Sequence, residues 1–194
     1  MLIGTTLGAT LGLLTPNLGG KWDLVTQRIV DSLMAFPTLV LALVIVASLG
    51  ASVMNALIAI AVVQVPWGVR VIRSTVLSVR EMQFVEAARG IGCSGFRLIF
   101  VHILPSCVPP YVILATVTVG NAIVTEASLS FLGLGTQPPS PSWGYMLAGA
   151  GRRYAAAAPW LGIFPGVALA LVVLGFNLLG DTVRDLLDPR TRPQ

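Results

Sequence analysis

The chain has 194 residues, of which 55% are hydrophobic and only 10% charged, and its mean hydropathy is +0.86. So little charge cannot coat a soluble globule of this size, and the composition therefore indicates an integral membrane protein. The net charge of +4 does not point to a nucleic-acid partner, because the twelve basic residues are scattered between apolar runs without forming a stripe.

The first fourteen residues, MLIGTTLGATLGLL, contain neither a basic n-region nor an A-x-A cleavage site, so they read as a helix and not as a signal peptide. They are short for a span of about 20 residues. Gly4, Gly8 and Gly12 make a GxxxGxxxG ridge. Such a ridge either lets a second helix approach closely or is simply a glycine-rich helix with no special partner.

No charge occurs in residues 32–69, a run of 38. At about 1.5 Å per residue this is nearly twice a hydrocarbon core of about 30 Å, so it should hold two spans. The break is expected in SLGASVMN, where Gly50 can end one helix and Ser52 can cap the next. The result is a transmembrane hairpin with spans near 33–49 and 53–71.

The next stretch, REMQFVEAARGIG, reads as a short amphipathic helix with Phe84, Ala87, Ala88 and Ile91 at three- and four-residue spacing, and with Glu86 and Arg89 at i and i+3. Gly90 and Gly92 should stop it. Ser94 can cap a second helix that passes through FRLIFVHIL to Pro105 and enters the next span. The small residues beside an acidic one suit docking into a protein groove better than resting on lipid headgroups, for which Ala87 and Ala88 are weak anchors.

Further spans are expected over about 106–125 and 158–180. The uncharged residues 127–151 carry Gly133, Gly135, Pro138, Pro139, Pro141 and Gly144, which would strip a lipid-facing helix of hydrogen bonds, so 127–157 is expected to be an external or re-entrant loop. Glu126, a lone carboxylate between apolar runs, is a candidate for a polar pathway or for a gating or structural hydrogen bond.

About five transmembrane helices result, an all-α polytopic bundle forming one domain over 1–194. With 80–105 cytoplasmic, Lys21, Arg28, Arg70, Arg73, Arg80, Arg89, Arg97, Arg184, Arg190 and Arg192 face the cytoplasm, and only Arg152 and Arg153 lie outside. That asymmetry satisfies the positive-inside rule.

His102 is the sole histidine, so no histidine-based metal cluster can form. Cys93 and Cys107 fit neither a CxxC pair nor a disulfide framework. Lys21, the sole lysine, has Thr15 where a phosphate loop needs glycine and is followed by Trp22, so the chain holds no ATPase site of its own. Neither HExxH nor GxSxG occurs, which leaves little ground for a membrane enzyme. An ion-coupled secondary transporter would call for inverted repeats and several buried carboxylates, and no such repeat is visible.

The stretch FVEAARGIGCSGFRLIFVHILP, residues 84–105, resembles the EAA loop of bacterial ABC importer permeases. Glu86, Ala87, Ala88, Gly92, Leu104 and Pro105 match its pattern, with His102 at the usual isoleucine place and Ile103 beside it. RIVDSLMAFPTLVLALVIVASLG, TEASLSFLGLGTQPPSPSWGYML and FNLLGDTVRDLLDPR are similar to the C-type permease subunits of dipeptide, oligopeptide and nickel importers. The resemblance implies the type I importer permease fold of six spans, of which this sequence lacks the first. It also implies a bacterial inner-membrane location and an ATP-driven importer, for peptides first and nickel chelates second. The implied partners are a second permease subunit, two ATPase subunits or domains that bind the ATP, and an external substrate-binding protein. Coupling to the ATPase would pass through residues 80–105, with Glu86, Ala87, Ala88, Arg89, Gly92, Leu104 and Pro105 as its residues and no catalytic residue in this chain.

Overall fold

The computed structural model describes residues 1–154 and 156–187, so Arg190 and Arg192 of the charge asymmetry lie outside the described residues. Among these residues the secondary structure is helical: α1 (Leu2–Leu18), α2 (Gly20–Met34), α3 (Thr38–Leu49), α4 (Val53–Arg80), α5 (Gln83–Gly90), α6 (Gly95–Arg97), α7 (Leu104–Phe131), α8 (Trp143–Met146) and α9 (Trp160–Leu187). Wider π-helical turns at Leu98–Ile103 and Leu147–Gly151 join α6 to α7 and extend α8.

Three runs are long and apolar enough to cross a bilayer by themselves: Val53–Arg80, Gly95–Phe131 and Trp160–Leu187. Each outlasts the span expected from hydropathy. α4, with 28 residues, is about 42 Å long, so it continues past a hydrocarbon core of about 30 Å and carries Arg70, Arg73 and Arg80 on its far end. The expected span at 33–49 starts later. Pro37 caps α3 in an extended conformation (φ −54°, ψ 132°) and cuts it off from α2, which leaves α3 with 12 residues.

The hairpin break falls where the sequence places it. Gly50 takes φ +95°, the Asn55 backbone N–H donates to Ser52 Oγ (3.1 Å), and the Asn55 side-chain amide donates to the Leu49 and Gly50 carbonyls (2.9 Å each). These bonds satisfy carbonyls that the end of α3 leaves free.

The chain divides into two compact units, with α4, α7 and α9 each contributing a part to both. In the unit made of residues 2–35, 64–115 and 181–187, α1 crosses α4 on glycine. A Cβ on Gly8 would strike the Val65 carbonyl oxygen, one on Gly12 would come 2.6 Å from the Val69 carbonyl oxygen, and one on Gly68 would come 2.7 Å from that of Thr5. Leu13 of α1, Ile72, Val76 and Val79 of α4, Val85 and Ala88 of α5, and Ile103 form its core.

In the unit made of residues 36–63 and 116–180, Ala42 and Val46 of α3 pack with Ala56, Ala59 and Ile60 of α4 and with Leu129 of α7. The uncharged segment after Glu126 is only partly a loop. Residues 127–131 finish α7, and α8 with its π-turn takes 143–151. Gly144 seats the start of α8 directly on the backbone of Ala127, where no side chain would fit.

Candidate functional site

α5 is an eight-residue helix, too short to be stable without tertiary support. That support comes from two side chains. Val85 is fully buried and Ala88 nearly so, both in the core that includes Val79 and Ile103. The sequence pattern suggested a different apolar face. Phe84 and Ile91 point out instead, Ile91 with 88% of its surface exposed, and Ala87 is exposed beside Glu86 and Arg89. Shifting the buried stripe by one residue, from Phe84 to Val85, leaves an acidic, small and basic sequence on the outer side.

Both ends of α5 are built by the backbone. At its start the Met82 N–H donates to the Val79 carbonyl (3.0 Å), and Met82 takes an extended conformation. The turn is tied to α1 by Arg80, whose Nη1 donates to the Pro16 carbonyl (2.6 Å), an acceptor that the last turn of α1 leaves open. At the other end the Gly92 N–H donates to the Arg89 carbonyl (3.0 Å) and the Cys93 N–H to the Ala88 carbonyl (3.0 Å), with Gly92 at φ +80°. This is the Schellman pattern, whose left-handed position favours glycine. A Cβ there would meet no neighbour, so conformation and not space is what calls for glycine.

Ser94 precedes α6 in an extended conformation, but its hydroxyl makes no capping bond. Its carbonyl instead accepts from the Leu98 N–H (2.9 Å). Phe96, 74% exposed, stacks against Phe100 with ring centroids 4.4 Å apart. The helix then widens into π turns before Leu104 and Pro105. Proline cannot donate to the ladder and its ring crowds the carbonyl four residues back, so a wide turn just ahead of it relieves both. Leu104 borders an apolar cavity of about 180 Å³ that Leu13, Ile72 and Cys107 also line, with Tyr111 hydrogen-bonded to Thr6 (2.6 Å) at its edge. Pro105 is exposed.

The other candidate residues lie elsewhere. Glu126, half-buried on α7, accepts from Ser130 Oγ (2.6 Å) and Thr136 Oγ1 (3.1 Å), and the Thr136 N–H donates to Ser130 Oγ (2.9 Å). The carboxylate thus fastens the turn after α7 to the helix that precedes it. Gly4, Gly8 and Gly12 are buried along α1. Among the described residues no group of three or more His, Cys, Asp or Glu side chains could hold a metal ion.

Sequence reasoning missed Val85, Gly68 and the ion pairs of α2. Gly68 lies between Trp67 and Val69 without a spacing signal of its own. It becomes legible only when α1 is laid across it.

A bundle of long apolar helices that exposes one short, polar helix between two of them has the build of an importer permease. The fold matches that of the methionine ABC transporter MetNI in inward-facing conformations, with a TM-score of 0.74 over 96% of this chain and 88% of that chain at 19% identity. A second crystal form of the same transporter gives a TM-score of 0.73.

The chain belongs to the family of binding-protein-dependent transport system inner membrane components, whose pattern matches residues 4–193. It is 48% identical to the dipeptide transport system permease protein DppC of Alkalihalophilus pseudofirmus, across 99% of this chain and 62% of that protein. It is 44% identical to the probable D,D-dipeptide transport system permease protein DdpC of Escherichia coli K12, across 97% and 63%, and 43% identical to the glutathione transport system permease protein GsiD of Pectobacterium atrosepticum, across 99% and 64%. The chain therefore spans somewhat under two thirds of the length of these relatives.

Proposed function

We propose that this chain forms one half of the membrane path of an ATP-driven importer of short peptides, and that α5 with its flanking turns is the element an ATPase subunit grips. The observation that carries this reading is the division of α5. Val85 and Ala88 hold it to the core, while Glu86, Ala87 and Arg89 are left outward on a helix whose ends are closed by backbone bonds. A helix fixed to the bundle in this way can pass a displacement to it.

The working assembly comprises a second permease subunit, two ATPase subunits or domains that bind the ATP, and an external substrate-binding protein. Residues 80–105 form the cytoplasmic coupling loop. Glu86 accepts a charge-assisted hydrogen bond from the ATPase, Ala87 lets the two surfaces close together, Ala88 and Leu104 set the loop against the bundle, and Pro105 marks the entry into the following span. Three named relatives handle dipeptides, D,D-dipeptides and glutathione, and this favours a peptide cargo over a nickel chelate.

The test is Glu86→Lys and Gly92→Leu in the assembled transporter. A charge-assisted hydrogen bond contributes roughly 1.5–3 kcal/mol, so Glu86→Lys is expected to lower ATPase co-purification at least tenfold while membrane insertion stays normal. Normal ATPase recruitment and normal peptide uptake in both variants would refute the coupling assignment.

A further inference from the structure

α2 is turned inside out relative to a helix of a soluble protein. Its 15 residues include four charged ones, Val30 is its buried residue, and Asp23 and Asp31 reach arginines of α4. Asp23 receives two bonds from Arg73, Nε to Oδ1 at 2.9 Å and Nη2 to Oδ2 at 2.8 Å, and Asp31 receives one from Arg70 at 2.9 Å. The opposite side carries Trp22, Val25 and Ile29 at three- and four-residue spacing, with 71%, 51% and 57% of their surfaces exposed.

A continuous apolar stripe of this kind is not left in water. Nor can α2 itself cross a membrane, since it is about 22 Å long and its charged side would have to enter the hydrocarbon. Both carboxylates of α2 are paired with arginines of α4, Asp23 partly buried and Asp31 still about half exposed. Lys21 and Arg28 are exposed on the flank of the apolar stripe, and neither is in an ion pair among the described residues. The outward face therefore presents tryptophan and aliphatic side chains flanked by Lys21 and Arg28, while the exposed Asp31 is engaged by Arg70.

We propose that α2 is an interfacial membrane anchor, lying along the anionic leaflet with Trp22, Val25 and Ile29 sunk to the boundary of headgroups and acyl chains, and with Lys21 and Arg28 on lipid phosphates. Amphipathic helices with this division bind bilayers by apolar burial plus attraction to anionic lipid. The Arg73–Asp23 and Arg70–Asp31 pairs join the anchor to the C-terminal half of α4, about two to three turns before the chain leads into α5. The anchor holds that part of α4 at a set depth.

The test uses the intact chain in a Cys93→Ser, Cys107→Ala background, with spin labels at Val25→Cys or Ile29→Cys, in vesicles of phosphatidylcholine mixed with phosphatidylglycerol. Collisions with oxygen should be frequent and collisions with a water-soluble nickel chelate rare, corresponding to a depth of about 5–10 Å. Adding Lys21→Glu and Arg28→Glu should raise nickel accessibility severalfold in the mixed vesicles, and in phosphatidylcholine alone the two versions should converge. Three results would overturn the proposal: labels open to the nickel chelate, which means water; labels closed to both reagents, which means burial under another protein or a second copy; or charge reversal without effect in the anionic vesicles.

Discussion

Val85→Ala is the sharpest probe of α5, because this side chain and Ala88 are the two that the helix buries in its core. The substitution removes two methyl groups from a fully buried site. At about 0.8 kcal/mol per buried carbon the transfer loss is about 1.6 kcal/mol, and incomplete closure of the resulting cavity raises it towards about 3 kcal/mol. An eight-residue helix has no comparable reserve of its own, so the loss should appear as local undocking and not as unfolding of the bundle. With about 1.4 kcal/mol per factor of ten, the amides of Ile91, Gly92 and Cys93, bonded to Ala87, Arg89 and Ala88, should exchange with deuterium about 10- to 100-fold faster. Exchange in α9 should stay unchanged, and, under the proposed coupling role, ATPase-dependent uptake should fall because α5 is no longer firmly attached. Ala87→Ser, on the exposed side of the same helix, should leave exchange alone. Unchanged exchange at residues 91–93 in Val85→Ala, or a uniform rise throughout the protein, would refute the attachment by two side chains.

Gly8→Leu should be far more harmful than Gly175→Leu, since a Cβ at Gly8 strikes the Val65 carbonyl and one at Gly175 meets nothing within 4 Å. Overpacking of about 1–3 kcal/mol or more is expected in thermal denaturation in detergent for the first and little change for the second. The Arg73 guanidinium holds the Asp23 carboxyl below its ordinary value of 3.8, so the pair stabilises the fold above that value and its contribution is lost as pH falls through the lowered one. Asp23→Asn should therefore melt lower than the parent protein at neutral pH, and the gap should narrow only below about pH 4; a gap that closes between pH 6 and 8 would contradict the assignment. Cys93 should be labelled by a membrane-impermeant thiol reagent in inverted vesicles and not in intact cells, in a Cys107→Ala background. Labelling from outside would reverse the orientation that the arginines indicate.

Membrane embedding, the break at Gly50 and Ser52, the short helix around Glu86 and its stop at Gly92 were legible in the residues, because each depends on local chemistry: total charge, backbone freedom, capping and spacing. The glycine ridge of α1 could also be read, but not the surface that receives it. That surface is Gly68, and only the crossing of α1 over α4 brings carbonyl oxygens close enough to exclude a Cβ there. The direction in which each apolar stripe faces was the larger gap. In water an apolar stripe points to the core, so periodicity alone identifies the inner side; next to a bilayer, lipid accepts the same side chains and the rule loses its sign. α2 thus turns Trp22, Val25 and Ile29 outward and pairs its carboxylates with Arg70 and Arg73, while on α5 the core that receives Val85, and not periodicity, decides that it and not the neighbouring Phe84 is buried. Which arginine meets which aspartate across about 40 to 50 residues of chain depends on how α2 folds back on α4, a long-range arrangement that no local pattern in either segment encodes.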